Sequence, residues 1–233
     1  MSKFICTNRR ALLSFGAAAT FLLPAIGVAF ASGSHDSMAA TKNRTSGTKR
    51  LGRTEKTSQA AAVLRDVWVG HIFWVRAVCV ALVNKQEAPA VVGEQQAVEN
   101  AESIAATIKP FYGGAAAEGF FKLLAGHYGA VKAYLLATIA DDASAQSKAV
   151  DSLTSNAGEI AIFLSNANPF LPKDAVNGLL LAHGGHHIQQ IQQLKEGKFG
   201  AEAQTWEEMK IHVYQIADTT ADALAKQFVK KFA

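Results

Sequence analysis

The chain predicts an all-α fold, an up-down antiparallel bundle of about six helices. Three observations carry that reading. Alanine is abundant, proline is confined to connecting segments, and stretches alternating with period two are scarce while apolar residues recur three and four apart. With short connections, consecutive helices are expected to pack as antiparallel neighbours.

The first helix is predicted over 58–84, with Leu64, Trp68, His71, Val75, Val78 and Leu82 on one seam. The second spans 92–108, turning Ala97, Ala101, Ile104 and Ile108 inward, and Pro110 ends it. The third, 115–140, follows the capping turn Gly113-Gly114 and carries Phe120, Leu124, His127, Val131 and Tyr134. The fourth, 143–166, carries Ala149, Leu153, Asn156, Ile160 and Phe163, and Asn168-Pro169 with Pro172 breaks the chain after it. The fifth, 174–195, places Val176, Leu180, His183, His187, Ile191 and Leu194 on one side, and the sixth, 205–231, turns in Met209, Val213, Ile216, Thr220 and Leu224. No internal repeat stands out.

Ahead of these helices the sequence reads differently. Lys3, Arg9 and Arg10 form a basic start without acids, 11–30 is apolar, and Ala29-Phe30-Ala31 is a small-x-small site. Residues 1–31 are expected to be a signal peptide cleaved after Ala31, through either the general or the twin-arginine route, since Arg9-Arg10 sits in a polar-Arg-Arg-x-apolar-apolar context. The protein is therefore expected to be periplasmic or secreted, with no transmembrane span in its mature form. Residues 32–56 are rich in Ser, Thr, Gly and basic side chains and read as a disordered tether. Residues 57–233 form one domain with fourteen Lys/Arg against seventeen Asp/Glu. The formal charge of +4 thus comes from the leader and the tether, and a nucleic-acid partner is not expected. Cys6 leaves with the signal peptide, so Cys79 is left without an intrachain partner and reads as a small buried hydrophobe.

The seams contain a surprise for an apolar core. His71, His127 and His183 fall on three different ones, and His187 lies one turn beyond His183. A buried imidazole needs a hydrogen-bond partner, a metal or a ligand. If the helices alternate in direction, His71, His127 and His187 stand near one level, about 20 Å along their helices, with Asn156 near the middle as well. An imidazole-only set suits Zn, Cu or Ni, and two of the rings suit haem. The i, i+4 pair His183/His187 can ligate one ion. No Glu-x-x-His, Cys-x-x-Cys-His or His-Glu-x-x-His motif occurs. The other reading is structural, with the histidines bonded to Asn156, Tyr134, Gln190 or backbone oxygens. His212 reads as a boundary residue, and His35 lies in the tether.

Several neighbours support either reading. Trp68, Phe73 and Trp74 can line an apolar pocket beside His71, and Arg76 is expected to pair with Glu159 or Asp218. Those two carboxylates are also the candidates for acid and base, should His71 or His127 serve an enzyme. Three functions stay open: a binding protein for a metal, haem or small ligand; a structural or interaction protein of the cell envelope; and a histidine/carboxylate enzyme.

The motifs Leu64-Arg65-Asp66-Val67-Trp68 with His71-Ile72-Phe73-Trp74-Val75-Arg76, Pro110-Phe111-Tyr112-Gly113, Leu123-Leu124 with His127, and Asn156-Ala157-Gly158-Glu159-Ile160-Ala161 recur in a known pattern. With Ala167-Asn168-Pro169, His183, Ala217-Asp218 and Gln227-Phe228, they resemble an uncharacterised family of bacterial all-α helical-bundle proteins, sometimes labelled glycosyltransferases. The resemblance covers 60–233 and implies the bundle fold, with His71, His127 and His183 at recurring histidine positions. His187 and His212 match no typical position of that family. Leu153 and Leu171 stand where it commonly has Trp, and Val229 where it often has Pro. It implies no established activity, and the chain has neither a sugar-nucleotide fold pattern nor an Asp-x-Asp motif.

Overall fold

The computed structural model describes residues 53–233. The signal-peptide region and the tether up to residue 52 lie outside the described residues. Among the described residues the chain is all-α, with eight helices and no strand. Six are long: α1 (Glu55–Val83), α2 (Glu87–Ala106), α4 (Gly114–Ile139), α5 (Ala143–Ala167), α6 (Lys173–Lys195) and α7 (Phe199–Gln227). Two are single turns, α3 (Lys109–Tyr112) and α8 (Val229–Phe232).

Most boundaries fall within a few residues of the sequence prediction, and the exceptions have local causes. α1 starts at Glu55 because the Thr54 side chain caps it, accepting from the Thr57 amide at 3.2 Å. Arg53 donates to Asp222 at 2.7 Å. Residues 53–56 therefore belong to the fold and not to a tether. α2 begins five residues before the predicted start because Pro89 sits in its first turn, where its missing N–H has no partner to lose. Pro110 likewise opens the turn α3, so it sits inside a helical turn rather than merely ending α2.

No internal repeat stands out in the sequence, yet the described residues fold as a repeat. The first helices of three pairs end at Val83, Ile139 and Lys195, and their partners begin at Glu87, Ala143 and Phe199. Left-handed residues follow each first helix at Lys85, Asp141 and Gly197, 56 residues apart (85 to 141 to 197). Each turn closes in the same way: Gln86 N–H donates to Ala81 O, Asp142 N–H to Ala137 O and Lys198 N–H to Gln193 O, at 2.8, 2.9 and 2.8 Å. This is the Schellman arrangement, which satisfies carbonyls at the helix end. Within each pair one side chain of the second helix donates to a carbonyl of the first, 33 residues earlier. These are Asn100 Nδ2 to Val67 O, Asn156 Nδ2 to Leu123 O and His212 Nε2 to Leu179 O.

Three equivalent pairs thus make the fold. α2 packs on α4, α5 on α6 and α7 back on α1, while α1, α4 and α6 touch one another inside. The buried seams superpose in register. Leu64, Phe120 and Val176 form one layer, Trp68, Leu124 and Leu180 the next, and His71, His127 and His183 the third. On the second helices Ile104-Ala105, Ile160-Ala161 and Ile216-Ala217 recur, all buried. The histidine layer separates two apolar clusters, one containing Leu64, Phe120 and Val176, the other Val75, Val131 and Ile191. α1 is long and apolar enough to cross a bilayer by length and composition, yet its buried face, from Leu64 to Val78, packs within this core.

Candidate metal centre

Each of the three inner helices delivers one histidine to the layer, and α6 delivers a second. His71, His127, His183 and His187 are 5 %, 4 %, 1 % and 1 % exposed. The ring centroids of His71, His127 and His183 stand 5.9, 5.3 and 5.4 Å apart, close to an equilateral triangle, as the repeat requires. His187 sits 5.4, 5.9 and 4.5 Å from those three rings and completes a tetrahedron. One nitrogen from each ring falls within 4.8 Å of the others. The sequence-level expectation that these residues share one level therefore matches their placement, with His183 included.

These separations have a simple standard. For imidazoles bound tetrahedrally at a Zn–N distance of about 2.05 Å, nitrogens lie about 3.3 Å apart and ring centroids about 5.2 Å apart. The six observed centroid distances bracket that value, and the Nε2 atoms of His183 and His187 are 3.1 Å apart. Sharing a proton between those two nitrogens satisfies only part of the set. His71 Nε2, His127 Nε2, His183 Nδ1 and His187 Nδ1 are buried with no hydrogen-bond partner. Each such atom costs about 1–3 kcal/mol.

The protonation state also suits a metal. Burial, reinforced by His127, pulls His71 down to about 3, and burial pulls His127 down to about 4, with the Asn156 amide acting in the opposite direction. His183 and His187 lie well below the ordinary histidine value, first from burial and then from the neighbouring imidazoles. All four are neutral at pH 7, and each keeps one ring lone pair that can take a metal once the hydrogen bond between His183 and His187 gives way. Asn156 gives its Nδ2–H to Leu123 O, and its Oδ1 lies against His127 without closing a well-formed hydrogen bond. That is where an outer partner of a ligating ring belongs.

Glycine makes these approaches close. A Cβ on Gly70 would stand 2.7 Å from Asn100 Nδ2, and one on Gly126 would stand 3.2 Å from Asn156 Nδ2. Each glycine immediately precedes a cluster histidine in the chain.

The remaining predicted residues are placed elsewhere. Arg76 pairs with neither Glu159 nor Asp218. Its Nε and Nη2 reach Glu202 at 2.6 and 2.7 Å, because α1 packs on α7 at that level and Glu202 is buried there at 2 % exposure. Asp218 is clamped by Arg65 and Arg53. Burial raises its carboxyl, but the two guanidinium groups outweigh that and hold it below the ordinary range. Glu159 is exposed on α5, with Ser155 Oγ 3.5 Å away. Neither carboxylate is a hydrogen-bond partner of a cluster histidine, so the acid/base pairing with His71 or His127 is not assembled.

Trp74 is half-buried against Phe73, itself exposed, and Trp68 is the aromatic residue at the cluster, edge-on to His71 and His183 at 5.8 and 5.9 Å. Trp68 also lines an apolar pocket with Leu64, Ile104, Phe120 and Leu180. Of the hydrogen-bond partners expected for the histidines, Gln190 donates instead to Glu202 at 2.8 Å, and Tyr134 accepts from Gln192 at 2.6 Å. Haem does not fit the four rings together. A bis-histidine haem needs two rings on opposite faces of a flat macrocycle, and four imidazoles whose ligand atoms all lie within 4.8 Å of one another leave no slot for one. Cys79 is buried close to Arg76 and Glu202, and burial pushes its thiol up to about 12, which leaves it inert.

Two residues at the site escaped the sequence reading. Glu202 lies before the predicted start of the sixth helix, on a first turn of α7 that the apolar spacing does not mark. His186 neighbours the i, i+4 pair but points to a different face of α6, beside His212. Comparison with family models, curated proteins and solved structures finds no match for this chain.

Proposed function

We propose that this protein binds a single transition-metal ion, Zn2+ by preference, through His71, His127, His183 and His187. The observation that carries the reading is the tetrahedral set of centroid distances, 4.5 to 5.9 Å, among four buried neutral imidazoles. Nitrogen-only ligation disfavours Ca2+ and Mg2+, which take oxygen, and a trigonal base with one axial ring suits Zn2+ or Cu+ better than tetragonal Cu2+. Four imidazoles fill a tetrahedral shell and leave no position for a reactive water, so the ion is held and not used for hydrolysis.

The basic, apolar and small-x-small segments of residues 1–31 support export, and the periplasm or exterior is the proposed location. α1 is read as a core helix and not a membrane span. The three-residue turns support reading each pair as an antiparallel hairpin, and hence the chain as an up-down bundle, on the pattern of the bacterial bundle family it resembles.

The test is elemental analysis and an absorbance spectrum of protein exported through its own leader, followed by chelation. One zinc per chain, lost in His127→Ala, is expected. Zinc at a hundredfold excess over its dissociation constant adds about 2.7 kcal/mol of stability. A metal-free protein whose melting temperature ignores Zn2+ and Cu+ would favour the second reading, an envelope protein with a structural histidine core. The hydrogen bond between the Nε2 atoms of His183 and His187, which forms with no ion, is the observation on that side.

A further inference from the structure

The repeat provides an internal control for every residue near the site. His71, His127 and His183 are equivalent to one another, but the three remaining histidines of the described chain are not. His187 takes the place of Val75 and Val131, His186 the place of Trp74 and Ala130, and His212 the place of Asn100 and Asn156. All three departures put an imidazole where the first two pairs have none, and all three lie in the third pair, α6 and α7.

They also form a line. His186 and His212 are half-buried at the margin of the protein, with ring centroids 5.5 Å apart. His212 stacks beside His183 at 6.4 Å and 12°. Beyond His183 stand His187 and the rest of the cluster. His212 is prepared as a ligand: its Nε2–H is donated to Leu179 O at 2.8 Å, which fixes the tautomer and leaves Nδ1 with a free lone pair. A ring nitrogen tied to a carbonyl, with the other left free, is the usual condition of a metal-binding histidine. The 5.5 Å separation of His186 and His212 is close to the roughly 5.2 Å of two imidazoles sharing a tetrahedral ion. The 6.4 Å separation of His212 and His183 exceeds it, so these two rings belong to adjacent stations and not to one site.

A core cluster at most 5 % exposed needs a way in. On the reading of that cluster as a zinc site, we propose that His186 and His212 form a peripheral docking site for the same ion and pass it to His183 and the core. The ion arrives hydrated, exchanges water for the two outer imidazoles, and then exchanges those for core imidazoles. Neutral ligands replace neutral ligands throughout, so the net charge and oxidation state do not change; the proton held between the Nε2 atoms of His183 and His187 moves to Nδ1 of its own ring as the ion enters.

The experiment follows Zn2+ uptake by the metal-stripped full chain in stopped flow, with zinc supplied from a weak chromophoric chelator. The variants are His186→Ala, which installs the residue of the second pair, and His212→Gln, whose amide retains the donor to Leu179 O. Glutamine is chosen over asparagine because Ala182 stands where Gly70 and Gly126 make room for the shorter side chain. Both variants are expected to load at least tenfold more slowly than the unaltered chain and to reach the same final content of one ion. Loading at the unaltered rate overturns the transfer route and leaves the core site standing. Two ions held at equilibrium by the unaltered chain, and one by either variant, with no change in rate, make the pair a second resident site and overturn the transfer. No uptake by the unaltered chain overturns the core reading, and the route with it.

Discussion

His183 and His187 face each other one helical turn apart on α6, with their Nε2 atoms 3.1 Å from one another, and only His183 has a counterpart in the other two helix pairs. The triangle of His71, His127 and His183 is a property of the repeat, and His187 turns it into a tetrahedron. Replacing His187 with Val, the residue at both equivalent positions, should leave a three-nitrogen site with an open fourth position. Zinc affinity is expected to fall by more than the roughly 10–100-fold that loss of an outer-shell partner costs. Competition with a chromophoric chelator measures it, and an unchanged affinity would remove His187 from the ligand set.

Acid should unfold the metal-free protein early. The four histidines have folded-state values below the ordinary 6.5, with His71 near 3 and His127 near 4, so between those values and 6.5 the unfolded chain binds more protons than the folded one. Stability therefore rises with pH through this window and is lost as pH falls. Each histidine contributes up to about 1.4 kcal/mol per pH unit, and four approach about 5 kcal/mol per unit. Against a total of about 5–15 kcal/mol, the acid transition is expected near pH ~5. Urea melts monitored by tryptophan fluorescence at pH 7, 6 and 5 give the slope, and a flat profile across that range would contradict neutral burial of the cluster.

The Arg76–Glu202 pair joins α1 to α7, with Gln190 of α6 completing the carboxylate's partners. Arg76→Ala strands a carboxylate that is 2 % exposed and should cost about 3 kcal/mol. Replacing both charged partners, as Arg76→Met with Glu202→Gln, whose amide oxygen can still accept from Gln190, should recover most of that loss. Chemical denaturation of the single and double variants measures the coupling. Additive losses would show that the pair contributes through packing alone.

Gly70→Ala offers a test of the close contacts beside the cluster. Alanine favours an exposed helix interior by about 1 kcal/mol. Here its Cβ would lie 2.7 Å from Asn100 Nδ2, which is held in place by Val67 O. Net destabilisation is expected, relieved when Asn100 is also made Ala. A more stable single variant would mean that the Asn100 side chain gives way freely.

The seams were legible because burial imposes a three-four spacing that survives substitution. Every inward position predicted on the fifth helix, from Val176 to Leu194, is buried. The histidine layer was legible for the same reason, since His71, His127 and His183 interrupt otherwise apolar seams. The repeat was not, because equivalence in packing does not require identity. Trp68, Leu124 and Leu180 fill corresponding places with different shapes, and Lys85 and Asp141 adopt the left-handed turn that glycine adopts at 197. Partners of charged residues were missed where they depend on helix-to-helix height. Arg76 meets Glu202 because α7 begins at Phe199, several residues before its first apolar stripe.

The closed arrangement of three helix pairs has a bearing on when the histidine cluster can exist at all. Each inner helix contributes a different ring, and the last pair contacts the first through α7 and α1. A chain with only two pairs in place holds His71 and His127 alone, two rings without the chelating pair of α6. If the four rings hold zinc as proposed, four-ring affinity appears only after the final pair has docked, and metal content becomes a readout of finished topology.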